Sequence, residues 1–174
     1  GHATPTAAEA VRLDKEDLSI RTILLDARRV EMASQTELFL YMASRAQLVS
    51  EILLPALAKG RTILLDRYYY STAAYQGAAG KIGIEEVLTL AEQIARFPQP
   101  DRVILFDLNP QQGIARVRRP HDRMEKKGIQ YLSKVRTGFL QIARREPKRF
   151  SIVRADRSAE EIAQEVYRKV QDVL

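Results

Sequence analysis

The chain has 174 residues, 45% of them hydrophobic, which suits one domain with a sizeable core and excludes extended disorder. Its 28 Lys and Arg outnumber its 22 Asp and Glu, and the resulting net charge of +6 suits anionic ligands. With no cysteine and only His2 and His121, the composition excludes a disulfide framework and a thiolate metal site, and no apolar run is long enough to span a bilayer. No charged-then-apolar leader opens the sequence, so the expectation is a cytoplasmic protein with no membrane partner. Internal repeats and low-complexity tracts are absent from the sequence.

In chain order, Thr6 and Glu9 have capping-box spacing and predict a helix over 5–13. Residues 20–25 suit a strand or a short helix equally, because periodicity does not decide for so short a run. Ser34 and Glu37 repeat the capping-box spacing and open a helix predicted over 34–58, with Gly60 as its stop. A buried strand is expected over 61–66. A helix follows from Ile84, ending before Pro98 and Pro100. Residues 102–108 (RVILFDL) read as a second buried strand, and Asn109-Pro110 turn the chain into a helix to about Arg118. The basic connector 118–123 leads to a helix over 125–145. A third strand is expected over 150–153. Ser158 and Glu161 cap a last helix that runs to about Asp172. Strands alternating with helices imply an α/β fold, a parallel β-sheet flanked by helices, in one domain over 1–174.

The stretch after the first strand carries the chemistry. Asp66-Arg67 sit at the carboxyl end of that strand, where open α/β sheets place a ligand crevice. The planar fork of Arg67 suits a phosphate, while Tyr68, Tyr69, Tyr70, Ser71, Thr72, Tyr75 and Gln76 form a set suited to an aromatic ring with polar edges. Taken alone, an Asp-Arg pair at a strand end is more often a solvated pair, and Tyr68 reads as plain packing.

Residues 66–77, DRYYYSTAAYQG, resemble the DR(Y/H)xxS(T/N)xAYQG segment of thymidylate kinases, which phosphorylate dTMP with ATP. The likeness extends over most of the chain. ATPTAAEAVR at 3–12 resembles the family's GGTPxGExxR, and ELFLYMASRAQ at 37–47 is similar to its ELLLYxAxRAQ. Residues 100–110 look like PDLxxxLDxxP, 113–118 like GLxRxR, and Asp122-Arg123-Met124-Glu125 like the DR(I/F/M)E that closes a lid. Several motifs in the right order are more specific than any one alone.

The resemblance implies a nucleoside-monophosphate kinase of the P-loop NTPase fold, a homodimer, with ATP and Mg²⁺ as cofactors. It implies that Arg67 grips the 5′-phosphate of dTMP and that Asp66 lies at the Mg²⁺ site or orients Arg67. Tyr41 would stack on thymine, with Arg45, four residues on along the same helix face, donating to a thymine carbonyl. Ser71, Thr72 and Gln76 would bond the base edge, and Tyr75 would pack under the deoxyribose. The region 116–127 would be a lid, with Arg118, Arg119 and Arg123 meeting the ATP phosphates and Arg118 and Arg123 stabilising the transferred group. One element of the family is missing: no GxxxxGK(S/T) loop occurs in these 174 residues, and Gly80-Lys81 is followed by Ile82. The expectation is that the family's first strand and P-loop precede residue 1, and that the 174 residues alone bind dTMP without useful turnover. The alternatives are a kinase-like binding protein that has lost its triphosphate site, or a related kinase with another base preference. A nucleic-acid binder ranks last, because the basic residues are scattered while the tyrosines cluster.

Overall fold

The computed structural model describes residues 15–26, 28 and 31–171, with side chains from residue 20 onward. The helix expected over 5–13 and the end of the last helix at Asp172 lie outside the described residues.

The ambiguous stretch is a helix, α1 (Lys15–Leu25). The long second helix starts as α2 (Ser34–Leu48), widens into a π-type turn over Val49–Leu53 and ends as α3 (Leu54–Ala58). Lys59 and Gly60 close it through backbone bonds to Ala56 and Leu57, and Gly60 takes the left-handed conformation with φ 66°. The capping box expected at its start does not form. Ala33 is the N-cap, without a side-chain cap bond, because Glu37 is turned inward and buried.

The strand expected over 61–66 is corrected. Residues 61–65 are extended, but no ladder forms there among the described residues. Their side chains still alternate: Ile63 and Leu65 pack on the core while Leu64 is 91% exposed. The next element was not expected at all. α4 (Tyr69–Thr72) continues as a π-type helix over Ala73–Ala79, where Gly80 N–H reaches back five residues to the Tyr75 carbonyl at 2.9 Å. α5 (Ile84–Thr89) likewise runs on through a π-type turn at Leu90–Ile94.

β1 (Val103–Asp107) pairs in parallel with β2 (Phe150–Arg154), in the register Val103 to Phe150 through Asp107 to Arg154. Between them, α6 (Pro110–Ala115) is shorter than expected. Its Asn109 side chain accepts from Gln111 N–H and caps its start, as Asn-Pro spacing favours. The helix expected over 125–145 is split. A 3₁₀ turn (Glu125–Lys127) and α7 (Ile129–Arg145) meet at Gly128, whose φ of 86° is a conformation that side-chain-bearing residues resist. α8 (Ala159–Val170) has the full Ser158–Glu161 capping box. The described residues thus form an α/β arrangement with a two-stranded parallel sheet flanked by helices.

The core sits between the 69–79 helix and α7. Tyr68, Tyr69, Tyr70, Ala73, Ala74, Val87, Val135, Ile142 and Phe150 are buried in one cluster. Small residues set the spacing. A Cβ added at Gly138 of α7 would lie 2.6 Å from the Ala78 Cβ, so the two helices touch there at backbone range. Polar ties fix the same pair: Tyr131 Oη donates to the Tyr75 carbonyl at 2.8 Å, and Tyr70 Oη donates to Glu146 at 2.9 Å. Burial pushes the Tyr68 phenol up to about 12, against the opposing pull of Arg45, and it pushes Tyr69 up further, so both rings stay neutral packing groups.

Candidate functional site

Three segments converge on one cleft of about 1070 Å³. α2 supplies Tyr41 and Arg45, the extended run and its end supply Leu65, Asp66 and Arg67, and the 69–79 helix supplies Ser71, Thr72, Tyr75 and Gln76. Arg119 and Asp122 of the connector also line it. All seven residues expected to bind substrate therefore face one hollow, together with Asp66.

The floor is preorganised. Arg45 Nη1 donates to Thr72 Oγ1 at 2.5 Å, joining α2 to the 69–79 helix. The Arg45 guanidinium carbon lies 5.9 Å from the centre of the Tyr41 ring, one helix turn away. Arg67 stands 5.6 Å over the Tyr75 ring, and its Nη1 reaches Tyr75 Oη at 3.5 Å. Its backbone is left-handed at φ 71°, unusual for a residue with a side chain and typical of places where geometry serves a ligand. Burial pushes the Tyr41 phenol above its usual value. A planar ring, a forked cation and hydroxyl and amide groups at neighbouring points suit a base carrying a phosphate.

Gln76 is placed differently from the expectation. Its amide Nε2 donates to Glu37 Oε2 at 3.0 Å, and the side chain is almost fully buried, although it still lines the cleft. Arg123 also turns inward. It is 2% exposed, is paired with Glu37, and donates from Nε to the Leu24 carbonyl at 2.7 Å. The cleft lining does not include it. Arg118 is exposed on the connector. Arg119 holds Glu125 through two bonds of 2.9 Å, while Asp122 and Glu125 each accept the other's backbone N–H at 2.9 Å and fold the connector onto itself.

Sequence reasoning missed Glu37 and Lys127. Glu37 is 1% exposed and accepts from Arg123, from Lys127 Nζ at 2.8 Å and from Gln76. Burial alone would raise its pKa, but these three partners outweigh it and hold the carboxyl below its usual range. Its capping-box position hid this role, although a Glu four residues before Tyr41 and eight before Arg45 shares their helix face.

Asp66 is exposed at the cleft, and no group of three or more His, Cys, Asp or Glu able to hold a metal occurs among the described residues. A single carboxylate fits an ion that takes its remaining ligands from phosphate and water.

The family model for thymidylate kinase matches residues 18–166. The thymidylate kinase of Symbiobacterium thermophilum is 38% identical over 156 residues, covering 89% of this chain and 73% of that protein. That of Deinococcus radiodurans is 37% identical over 155 residues, covering 88% and 75%. The thymidylate kinase of Bacillus pumilus is 31% identical over 178 residues, covering 100% of this chain and 84% of its own length. The chain belongs to the thymidylate kinase family. The family match covers the cleft, the connector and both strands.

Proposed function

We propose that the cleft holds dTMP and that the protein is the dTMP kinase its family name describes, moving a phosphoryl group from ATP to dTMP to give dTDP. The chain is a phosphotransferase of the thymidylate kinase family. One observation carries the substrate assignment: Tyr41, Arg45, Arg67, Ser71, Thr72, Tyr75 and Gln76, drawn from two helices and the segment between them, line one hollow.

In this reading the Arg67 guanidinium, set over Tyr75, binds the 5′-phosphate through its fork. Tyr41 stacks on the base. Arg45 donates to a base carbonyl and to Thr72 at once, which fixes both side chains before substrate arrives. Tyr75 packs against the sugar, and Ser71 and Thr72 read the base edge, with Gln76 held by Glu37 in the cleft wall. A site built from such polar groups rejects bases that leave them unpaired. Mg²⁺, when bound, would supply charge neutralisation, and Asp66 is the carboxylate that would hold it. Asp66, next to Arg67 in the chain, is also the carboxylate that would orient the phosphate-binding side chain. Arg118 and Arg119 meet the ATP phosphates from the connector 116–127, which acts as a lid; Arg119 leaves Glu125 to do so. Arg123 takes part through the root of that lid. In this reading residues 1–174 belong to one kinase-like domain.

A homodimer is supported by an apolar stripe along the long helix, where Phe39, Ala43, Ala46, Leu54 and Leu57 are exposed at helical spacing. Among the described residues no helix is long and apolar enough to cross a membrane. We assign the protein to the cytoplasm, where dTMP and ATP are at hand, and give it no nucleic-acid partner.

The test is a thermal-shift series on the full-length protein with dTMP, dUMP, dCMP and dGMP. Stabilisation should be largest with dTMP, since a ligand bound only by the folded state raises its stability. Equal shifts from all four nucleotides, or none, would refute the assignment.

A further inference from the structure

Behind the cleft lies a buried ionic joint. Glu37 divides its two oxygens between two parts of the molecule. Oε2 accepts from Gln76 of the 69–79 helix at 3.0 Å, whereas Oε1 accepts from Arg123 and from Lys127 Nζ, at 2.8 Å for the lysine. Gln76 lines the cleft, and Arg123 and Lys127 root the connector. The joint has further arms. Arg123 Nε bonds the last turn of α1 at the Leu24 carbonyl. Lys127 Nζ lies 4.8 Å from the centre of the Tyr131 ring, whose hydroxyl bonds the Tyr75 carbonyl.

The charge count matters. Two cations face one carboxylate, and Arg123 Nη2 is buried with no hydrogen-bond partner among the described residues. A buried ion pair is weak evidence for stability, because desolvation offsets the attraction. A cluster with surplus positive charge and an orphaned donor is poorly explained as a stabilising device alone. Its geometry suits a coupling device: a displacement of the connector pulls on the same carboxylate that orients Gln76.

We infer that Glu37 is a positioning residue that ties the root of connector 116–127 to the floor of the cleft, one carboxylate oxygen serving each. This rests on the proposed function for the identity of the ligand, but the tie itself is independent of it. Glu37 shares a face of α2 with Tyr41 and Arg45, so its hold on Gln76 and Arg123 also sets where those two side chains stand.

The experiment uses the full-length protein as wild type, E37Q and K127M. Lys127→Met is the milder change, since it leaves the Glu37–Arg123 pair in place. Amide hydrogen exchange over 122–128 should quicken about tenfold in E37Q and about threefold in K127M without ligand, as loss of a buried hydrogen-bonded partner loosens the root. dTMP affinity should weaken by about tenfold and about threefold in the same order. Unchanged exchange over 122–128 in both variants would overturn the tie. Faster exchange with dTMP affinity held within about twofold would overturn the positioning role and leave Glu37 a merely stabilising residue. A wild-type protein that binds no dTMP would overturn the proposed function instead, and the exchange data would still decide the tie. If E37Q does not fold, K127M supplies both readouts.

Discussion

The cleft floor and the connector above it are built from different forces. The floor, residues 68–79, is held by packing: Tyr69, Ala73 and Ala74 are fully buried, and α7 approaches to backbone range at Gly138. The connector, residues 116–127, is held by charge: Arg119, Asp122 and Glu125 clasp one another near the surface, and only Arg123 and Met124 are buried. Close packing permits few alternative positions, while exposed ion pairs exchange readily with water and salt. The contrast suits the proposed roles: base and phosphate recognition needs fixed geometry, and a lid needs a part that moves.

The comparison can be broken most sharply at Arg67. Arg67→Ala removes the guanidinium proposed to hold the 5′-phosphate and should lower kcat/KM for dTMP by about 100-fold, the scale of a lost charge-assisted contact. Steady-state kinetics with unchanged folding would check it, and a loss below about fivefold would remove Arg67 from the site. Next comes the packing of the floor. Gly138→Val forces atoms into the Ala78 contact and should destabilise by about 1–3 kcal/mol in chemical denaturation. If the floor tolerates this change without loss, close packing does not set its geometry.

Acid should strike the joint between the two regions. Glu37 is held below its usual range by Lys127, Arg123 and Gln76, whose bonds overcome its burial, and Asp107 is held low first by its bonds from Arg136. A carboxyl with a lowered folded-state pKa binds its proton more weakly folded than unfolded. Its contribution is complete above its ordinary value of about 4, and is lost as pH falls through the lower folded value. Urea denaturation should therefore show stability falling from pH 5 toward pH 2.5, about the carboxylate range, and less steeply in E37Q. An equal slope in that variant would mean that Glu37 does not link folding to pH. The smallest effect belongs to the exposed clasp. Arg119→Ala should leave the melting temperature unchanged within error while raising KM for ATP. A clear drop in melting temperature would show that the connector is structurally fixed after all.

The sequence made some of this legible. The two paired strands appear as apolar runs, and the Ser158–Glu161 box forms as its spacing says. The run 61–65 shows why a strand is a relation as well as a segment: its alternation is real, yet no ladder partner stands beside it among the described residues. The 69–79 helix was hidden because the two tyrosines and two hydroxyl residues that open it carry little helical signal, and tertiary packing on α7 overrides that propensity. At the site, the side chains picked out by motif spacing line one cleft. The spacing did not reveal that Glu37 abandons its cap, since its partner Arg123 is 86 residues away and burial decides the matter. Nor did it show Arg123 turned inward, because a basic residue in a basic connector reads the same whether it points outward or in.

The left-handed turn at Arg67 has one last implication. An ordinary L-residue in that conformation costs of order 1 kcal/mol, and glycine would relieve it. Glycine would also erase the guanidinium. On the proposed function, easier folding and chemical competence are in opposition at this position, and a lineage that stopped needing the reaction would be free to drift toward the relaxed backbone.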